Sequence, residues 1–281
     1  MYTEKYRADA GFTWRKKAKM VKIFDTHAHY DDDAYDEDRD ILLSGFSGQG
    51  VGAVVNIGTN ICTSEITAKM TEQYENVYGV VGVYPTDVEE LEHPGQTGGI
   101  EQLRRLVQEY KKVVAIGEIG LDYHYKDVDK KLQQKWFAGQ MELARALAVP
   151  IVVHSRDAAR DTADVMRNCH AEEIGGVIHC YSYTKEMAKE FLDMGFYFGI
   201  GGVLTFKNAR KLREAVAYIP LSQIVLETDS PYLTPEPFRG RRNTSANLPY
   251  VAEVISEIKG ISVDAVYEAT WRNAHALYRI A

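Results

Sequence analysis

The chain has 281 residues, 45% of them hydrophobic, with 33 basic against 40 acidic side chains and a formal net charge of −7. That length holds one large domain or two small ones. The charge excludes a protein that coats nucleic acid through a basic face, which must displace counterions from phosphates, though not an enzyme that grips one phosphate through metals.

The opening stretch, MYTEKYRADAGFTWRKKAK, lacks a continuous apolar segment and makes a poor secretory signal. Met20 stands directly before VKIFDTHAH, so residues 1–20 read as a flexible N-terminal extension or an upstream start, outside the fold argument. No apolar run approaches the roughly 20 residues that span a bilayer, so no membrane partner is expected.

From residue 22 onward, short β-branched runs alternate with amphipathic stretches. Strands are predicted at 22–27, 51–58, 77–84, 113–120, 151–155, 176–182, 197–202 and 224–230. They are near-continuous apolar runs, as strands covered on both faces should be. Helices are predicted at 63–75, 99–111, 129–148, 156–169, 184–194 and 206–217, with a closing pair at 247–258 and 263–279. The clearest, 129–148, carries an apolar stripe through Leu132, Trp136, Met141 or Leu143, and Leu147. Eight strands with intervening helices within roughly 250 residues are the pattern of a (β/α)8 TIM barrel, here with an extra C-terminal helix. No Pro/Gly/Ser-rich linker divides residues 21–281, which read as a single domain.

Cys62, Cys169 and Cys180 form no C-x-x-C pair and are expected as free core thiols of a cytoplasmic protein. Nothing signals assembly, so a monomer is expected. Asp31, Asp32, Asp33, Asp36, Glu37 and Asp38 read as a solvated loop and helix start, since carboxylates suit a helix N-terminus. They do not form a calcium loop, because the required Gly and Glu are missing.

The chemistry lies at the strand ends. His27 and His29 end the first strand, Glu118 the fourth, His154 the fifth, His179 the sixth and Asp229 the eighth. Active sites of this barrel form at that layer. Four of the eight histidines fall there, and scattered core histidines would have no reason to choose one layer. Side chains on a strand alternate, so His27 and His29 share a face, with Asp25 one step deeper as a possible acceptor for a histidine. Imidazole plus carboxylate suits zinc, and mixed sites accept manganese, iron or cobalt. Six ligands exceed one tetrahedral ion but suit two divalent ions (Zn, Mg or Mn). Glu118 would bridge them, His27, His29 and Asp229 would hold one, and His154 and His179 the other. Two ions about 3.5–4 Å apart activate a water and clamp an in-line displacement. Asp229 could take the water's proton.

The motifs FDTHAH (24–29), IGEIGLDYH (116–124), VVHSRDA (152–158), IHCYS (178–182) and ETDSPYLTPEPFRGRRN (227–243) resemble those of the TatD family of metal-dependent hydrolases, in family order and spacing from about residue 22 to the C-terminus. The resemblance implies a (β/α)8 barrel with a dinuclear metal site, a deoxyribonuclease activity that includes 3′→5′ exonucleases on single strands, and His27, His29, Glu118, His154, His179 and Asp229 as ligands. One departure stands out: many members carry His-Pro-His after strand three, where this chain has Tyr84-Pro85-Thr86. Those histidines are usually thought to approach substrate, so the departure bears on preference and rate rather than on metals.

Arg156, Arg239, Arg241 and Arg242 are candidate phosphate contacts, since arginine suits bidentate phosphate recognition. His124 could replace a missing histidine or be a plain surface residue. Overall acidity favours a confined grip on a strand end of DNA or RNA. Two other readings remain open: ester, amide or aminoacyl hydrolysis of a smaller substrate on the same metal pair, and a barrel that keeps metals without catalysis. Cyclic-amide hydrolases of this barrel group often use a carbamylated lysine at the bridge, where this chain has Glu118.

Overall fold

The computed structural model describes residues 22–93, 95 and 98–280; the expected N-terminal extension lies outside the described residues. Eight strands form one parallel sheet in the order of the chain: β1 (Ile23–Ala28), β2 (Val51–Ile57), β3 (Val77–Val81), β4 (Val113–Asp122), β5 (Ile151–Arg156), β6 (Gly176–Ile178), β7 (Tyr197–Ile200) and β8 (Ile224–Leu226). Each expected strand is present. The sheet curls until its edges meet, through a parallel bridge between Ala28 and Ser230. Around this seam His27 O accepts from Asp229 N at 2.9 Å, and His29 N donates to Ser230 O at 2.8 Å.

The helices are α1 (Arg39–Gly45), α2 (Ile61–Gln73), α3 (Glu89–Glu92), α4 (Gly99–Glu109), α5 (Lys130–Leu147), α6 (Ala159–Asn168), α7 (Lys185–Asp193), α8 (Arg210–Tyr218), α9 (Leu248–Lys259) and α10 (Val263–Tyr278). Most follow a strand and pack on it, which gives the (β/α)8 barrel. None of the described helices is long and apolar enough to cross a membrane.

The extra helix has a defined task. Phe24, Val55, Val80, Ala115, Val152, Val177 and Val225, from seven strands, form one buried cluster that continues into Ala274, Leu277 and Tyr278 of α10. Tyr278 also donates its hydroxyl to Thr26 O at 2.8 Å. Aliphatic side chains from many strands converging on one axis leave an open apolar end, and α10 covers it.

The expected stripe of α5 is rotated. Leu132, Trp136 and Leu147 are only partly buried, whereas Gln133, Phe137, Gln140, Met141, Leu143 and Ala144 face the sheet. Two of these buried positions are glutamines, a substitution that apolar periodicity does not register. Asp129 starts the helix by accepting from Lys131 N and Leu132 N, both at 3.0 Å.

The cysteines depart from the expected core placement: Cys62 is exposed, and Cys169 and Cys180 are half-buried. Cys62 lies in the first turn of α2 on its outer side, and Cys180 follows β6 into the mouth of the barrel.

Candidate metal centre

Strand ends differ from expectation in detail. β4 runs four residues beyond Glu118, while β1, β6 and β8 stop one, one and three residues before His29, His179 and Asp229. All six side chains nevertheless meet at one end of the barrel. The rings of His27 and His29 turn Nε2 toward each other at 3.2 Å, the alternation expected of a strand. Asp229 Oδ1 lies 3.3 Å from His29 Nε2 and 3.7 Å from His27 Nε2.

Glu118 divides the four imidazoles between its two oxygens. Oε2 lies 3.3 Å from His27 Nε2 and 4.0 Å from His29 Nε2. Oε1 lies 2.7 Å from His154 Nδ1 and 3.8 Å from His179 Nε2. Among the described residues, four groups have donor atoms close enough to share one ion: His27–His29–Asp229 and Glu118–His154–His179, and two more that share His179, His27–His179–Glu227 and His179–Cys180–Asp229. This donor set fits divalent cations. Nitrogen lone pairs and carboxylate oxygens converge on common points, and His27 Nδ1 is buried without a hydrogen-bond partner. Mixed N/O donors are those of zinc and its first-row neighbours.

The outer partners were less legible. His29 Nδ1 lies 3.0 Å from Ile57 O, a backbone acceptor that leaves Nε2 free to face the cluster. His179 Nδ1 lies 3.2 Å from Glu227 Oε1, off the line of a good hydrogen bond, while Glu227 accepts from Cys180 N at 2.6 Å. Gly199 makes room for that carboxylate: a Cβ there would stand 2.0 Å from Glu227 Oε2. His154 turns Nε2 toward the Tyr84 hydroxyl at 2.9 Å and Asp122 Oδ2 at 3.3 Å.

Asp25 does not orient a histidine ring as expected. Its buried carboxylate accepts from Thr228 N at 3.0 Å, and from the hydroxyls of Thr228 and Ser245, each at 2.6 Å. These bonds tie the end of β8 to β1 because Asp25 faces the seam rather than the imidazoles. Burial pushes its carboxyl up to about 7, against those hydrogen bonds.

Charge compensation runs through the cluster. Burial opposes ionisation of Glu118 and Asp229, yet His179 beside Glu118 and the His29 hydrogen bond to Asp229 hold both carboxyls below the ordinary range. Burial would lower His179, but the charges of Glu227 and Glu118 overcome it and raise the ring to about 10. His29 rises to about 9 against its burial, through Asp229. Burial and the neighbouring His179 push His27 down. Among the carboxylates, Asp229 is the more open, its side chain 19% exposed against 4% for Glu118.

The cluster forms the floor of a cleft of about 960 Å³. Arg156 lines it, and so do Asp31, Asp32 and Asp33, so half of the acidic patch expected in solvent forms one wall. Tyr125 and Tyr232, both 56% exposed, stand on its rim. The other proposed contacts are absent from the lining. His124 turns aside to Asp157 at 3.1 Å. Arg239 stacks on Phe206 at 4.3 Å, and Arg241 faces Phe238 at 5.7 Å. Arg242 pairs with Asp38.

Residues 24–279 match the family model for TatD-related DNase. The chain belongs to the TatD family. It is 38% identical over 258 residues to the uncharacterized metal-dependent hydrolase YabD of Bacillus subtilis (strain 168), covering 92% of this chain and 99% of YabD. It is 35% identical over 261 residues to the uncharacterized metal-dependent hydrolase YcfH of Escherichia coli (strain K12), covering 92% and 96%. The crystal structure of the TatD homolog YjjV from Escherichia coli K12 superposes with a TM-score of 0.85 at 27% identity, over 93% of this chain and all of that one. The (β/α)8 barrel is therefore that of a TatD-family protein.

Proposed function

We propose that this TatD-family metal-dependent hydrolase cleaves phosphodiester bonds at single-stranded ends of DNA or RNA, as a 3′→5′ exonuclease with a dinuclear metal centre. One observation carries the reading: Glu118 faces His27 and His29 with one oxygen and His154 and His179 with the other. In this reading His27, His29 and Asp229 would hold one ion and His154 and His179 the second, with Glu118 a ligand facing both groups. Bound divalent cations would supply Lewis-acid polarisation of the phosphoryl group and activation of water.

The protein's own residues supply the rest. Asp229, the carboxylate more open to the cleft and kept ionised by His29, is the proton acceptor. Arg156 contacts a substrate phosphate. The rims of Tyr125 and Tyr232 offer flat aromatic faces on which unpaired bases stack, a contact worth about 1–3 kcal/mol per base. Arg239, Arg241 and His124 would act, if at all, on substrate extending beyond the cleft.

The cleft is strongly acidic. Among the described residues, Asp31, Asp32, Asp33, Asp87, Glu118 and Asp229 line it with Arg156 as its sole lysine or arginine. Phosphate entry there requires cations, which agrees with metal dependence and favours a single strand end over a tracked duplex. The same acidity favours a second reading, hydrolysis of a small-molecule ester or amide or an aminoacyl group, whose substrate brings little negative charge. We place the enzyme in the cytoplasm as a monomer.

The deciding experiment is a time course on end-labelled single-stranded DNA and RNA with Mg²⁺, Mn²⁺ or Zn²⁺. A ladder from the 3′ end, absent from an identically purified His27→Ala/Asp229→Ala variant, is the expected result. Intact substrate with metal-loaded protein would transfer the weight to the smaller esters and amides.

A further inference from the structure

Tyr84 is not a passive replacement on the cleft wall. Its hydroxyl lies 2.8 Å from Asp122 Oδ2 and 2.9 Å from His154 Nε2. Asp122 is fully buried, and its other oxygen accepts from His124 N at 2.9 Å. A carboxylate only accepts, so the phenol donates its proton to Asp122 and keeps a lone pair for the imidazole. With Nε2 protonated, that lone pair accepts from His154, and Nδ1, 2.7 Å from Glu118 Oε1, is the ring atom turned toward the shared carboxylate. The direct approach of Nε2 to Asp122, at 3.3 Å, is longer than its approach to the phenol.

The pair is also held in place from behind. Gln140 of α5 accepts from Val83 N at 2.8 Å and donates to Val83 O at 3.0 Å, fixing the residue before Tyr84. Gln133 of the same helix accepts from Asp122 N at 2.9 Å and donates to Asp122 O at 3.0 Å. One helix thus sets both ends of the phenol–carboxylate contact, through buried polar side chains that cost stability unless fully bonded.

We infer that Tyr84 is a positioning residue: held on Asp122, its hydroxyl fixes His154 in the Nε2–H tautomer and presents Nδ1 to the metal centre. The inference rests on the reading of His154 as a ligand. The phenol occupies both of its polar contacts in this arrangement and does not serve as a free acid for the leaving group.

The test uses full-length protein, stripped with a chelator and titrated with Zn²⁺ by calorimetry, with bound metal counted by mass spectrometry. Wild type is expected to bind two equivalents. Tyr84→Phe keeps the ring and its packing but is expected to weaken one site by about 10–100-fold, the usual cost of losing an outer partner, with the other site unchanged. Asp122→Asn should weaken the same site, and the double variant should lose no more than the weaker single one, since both act on one nitrogen. In zinc-loaded protein with ¹⁵N-labelled histidine, the His154 ring should carry its proton on Nε2 in wild type and lose that single-tautomer signature in Tyr84→Phe. Two tight sites and unchanged ring signals in Tyr84→Phe would overturn the role of Tyr84 while leaving the metal centre standing. A wild type that binds no zinc would overturn the metal centre and this inference with it.

Discussion

Gln133 grips Asp122 by the backbone at both ends, accepting from its N–H and donating to its C=O. Removing the amide leaves two buried groups unmet, and an unmet buried group costs about 1–3 kcal/mol. Gln133→Ala is therefore expected to lower stability by at least that amount, read from urea melts. Gln133→Leu, which restores volume but no bonds, should recover little of it. Full recovery by leucine would mean that packing, not the clamp, holds this site.

Replacement of His154 by alanine should abolish metal-dependent turnover while leaving the circular dichroism spectrum and cooperative melt near wild type. The ring lies at the edge of the cleft, and its loss removes a donor rather than core volume. The activity loss should exceed the roughly 10–100-fold expected for an outer partner. Retained turnover would dismiss His154 from the centre.

Divalent cations should stabilise the protein. A ligand that binds only the folded state at 100 times its Kd contributes about 2.7 kcal/mol. The Tm should rise with Mn²⁺ or Zn²⁺ and fall with chelator, and the His27→Ala/Asp229→Ala variant should respond much less. Equal shifts in both proteins would place the bound cations elsewhere, the acidic wall of Asp31 to Asp33 being the first place to look.

Gly199→Ala adds a single methyl group directly against Glu227. The carboxylate must move, and with it the support behind His179. We expect zinc affinity to fall by about 10–100-fold, measured with a competing chelator dye. Unchanged affinity would show that His179 needs no help from Glu227.

The arginines separate by position. Arg156→Ala should raise KM on single-stranded substrate by roughly 10- to 100-fold, the loss of one charge-assisted hydrogen bond of about 1.5–3 kcal/mol. Arg239→Ala and Arg241→Ala, whose guanidinium groups lie on Phe206 and Phe238, should change KM little on a short oligonucleotide. The reverse ranking would move the phosphate path to the outer loop.

What the sequence made legible follows from burial. Asp229 and the four histidines interrupt or follow apolar runs, so each stood out against its neighbours, and the strand order placed them in one layer. Asp122 and Glu227 lie in the same segments as Glu118 and Asp229, but nothing in their spacing tells an outer partner from a ligand. Gln133 and Gln140 lie seven apart on α5, on the face that periodicity assigns to apolar residues, and a count of hydrophobic positions rotated the helix away from them. Asp25 was placed on the face of His27 by alternation, yet its carboxylate goes to Thr228 and Ser245 because the seam of the barrel offers it closer donors. The turning aside of His124 and Arg241 depends on loop paths that no local pattern encodes.

The joining of β1 to β8 has a consequence for the life of the chain. His27 and Asp229 are both ends of the seam and members of the cluster, separated by some two hundred residues of sequence. Contacts of such long separation form late in folding. A ribosome making this protein at about 5–20 residues per second presents His27 and His29 early, but their counterpart emerges only near the end of synthesis. Until then the nascent chain holds an incomplete set of donor groups. The cluster is thus completed by the last part of the chain to be made.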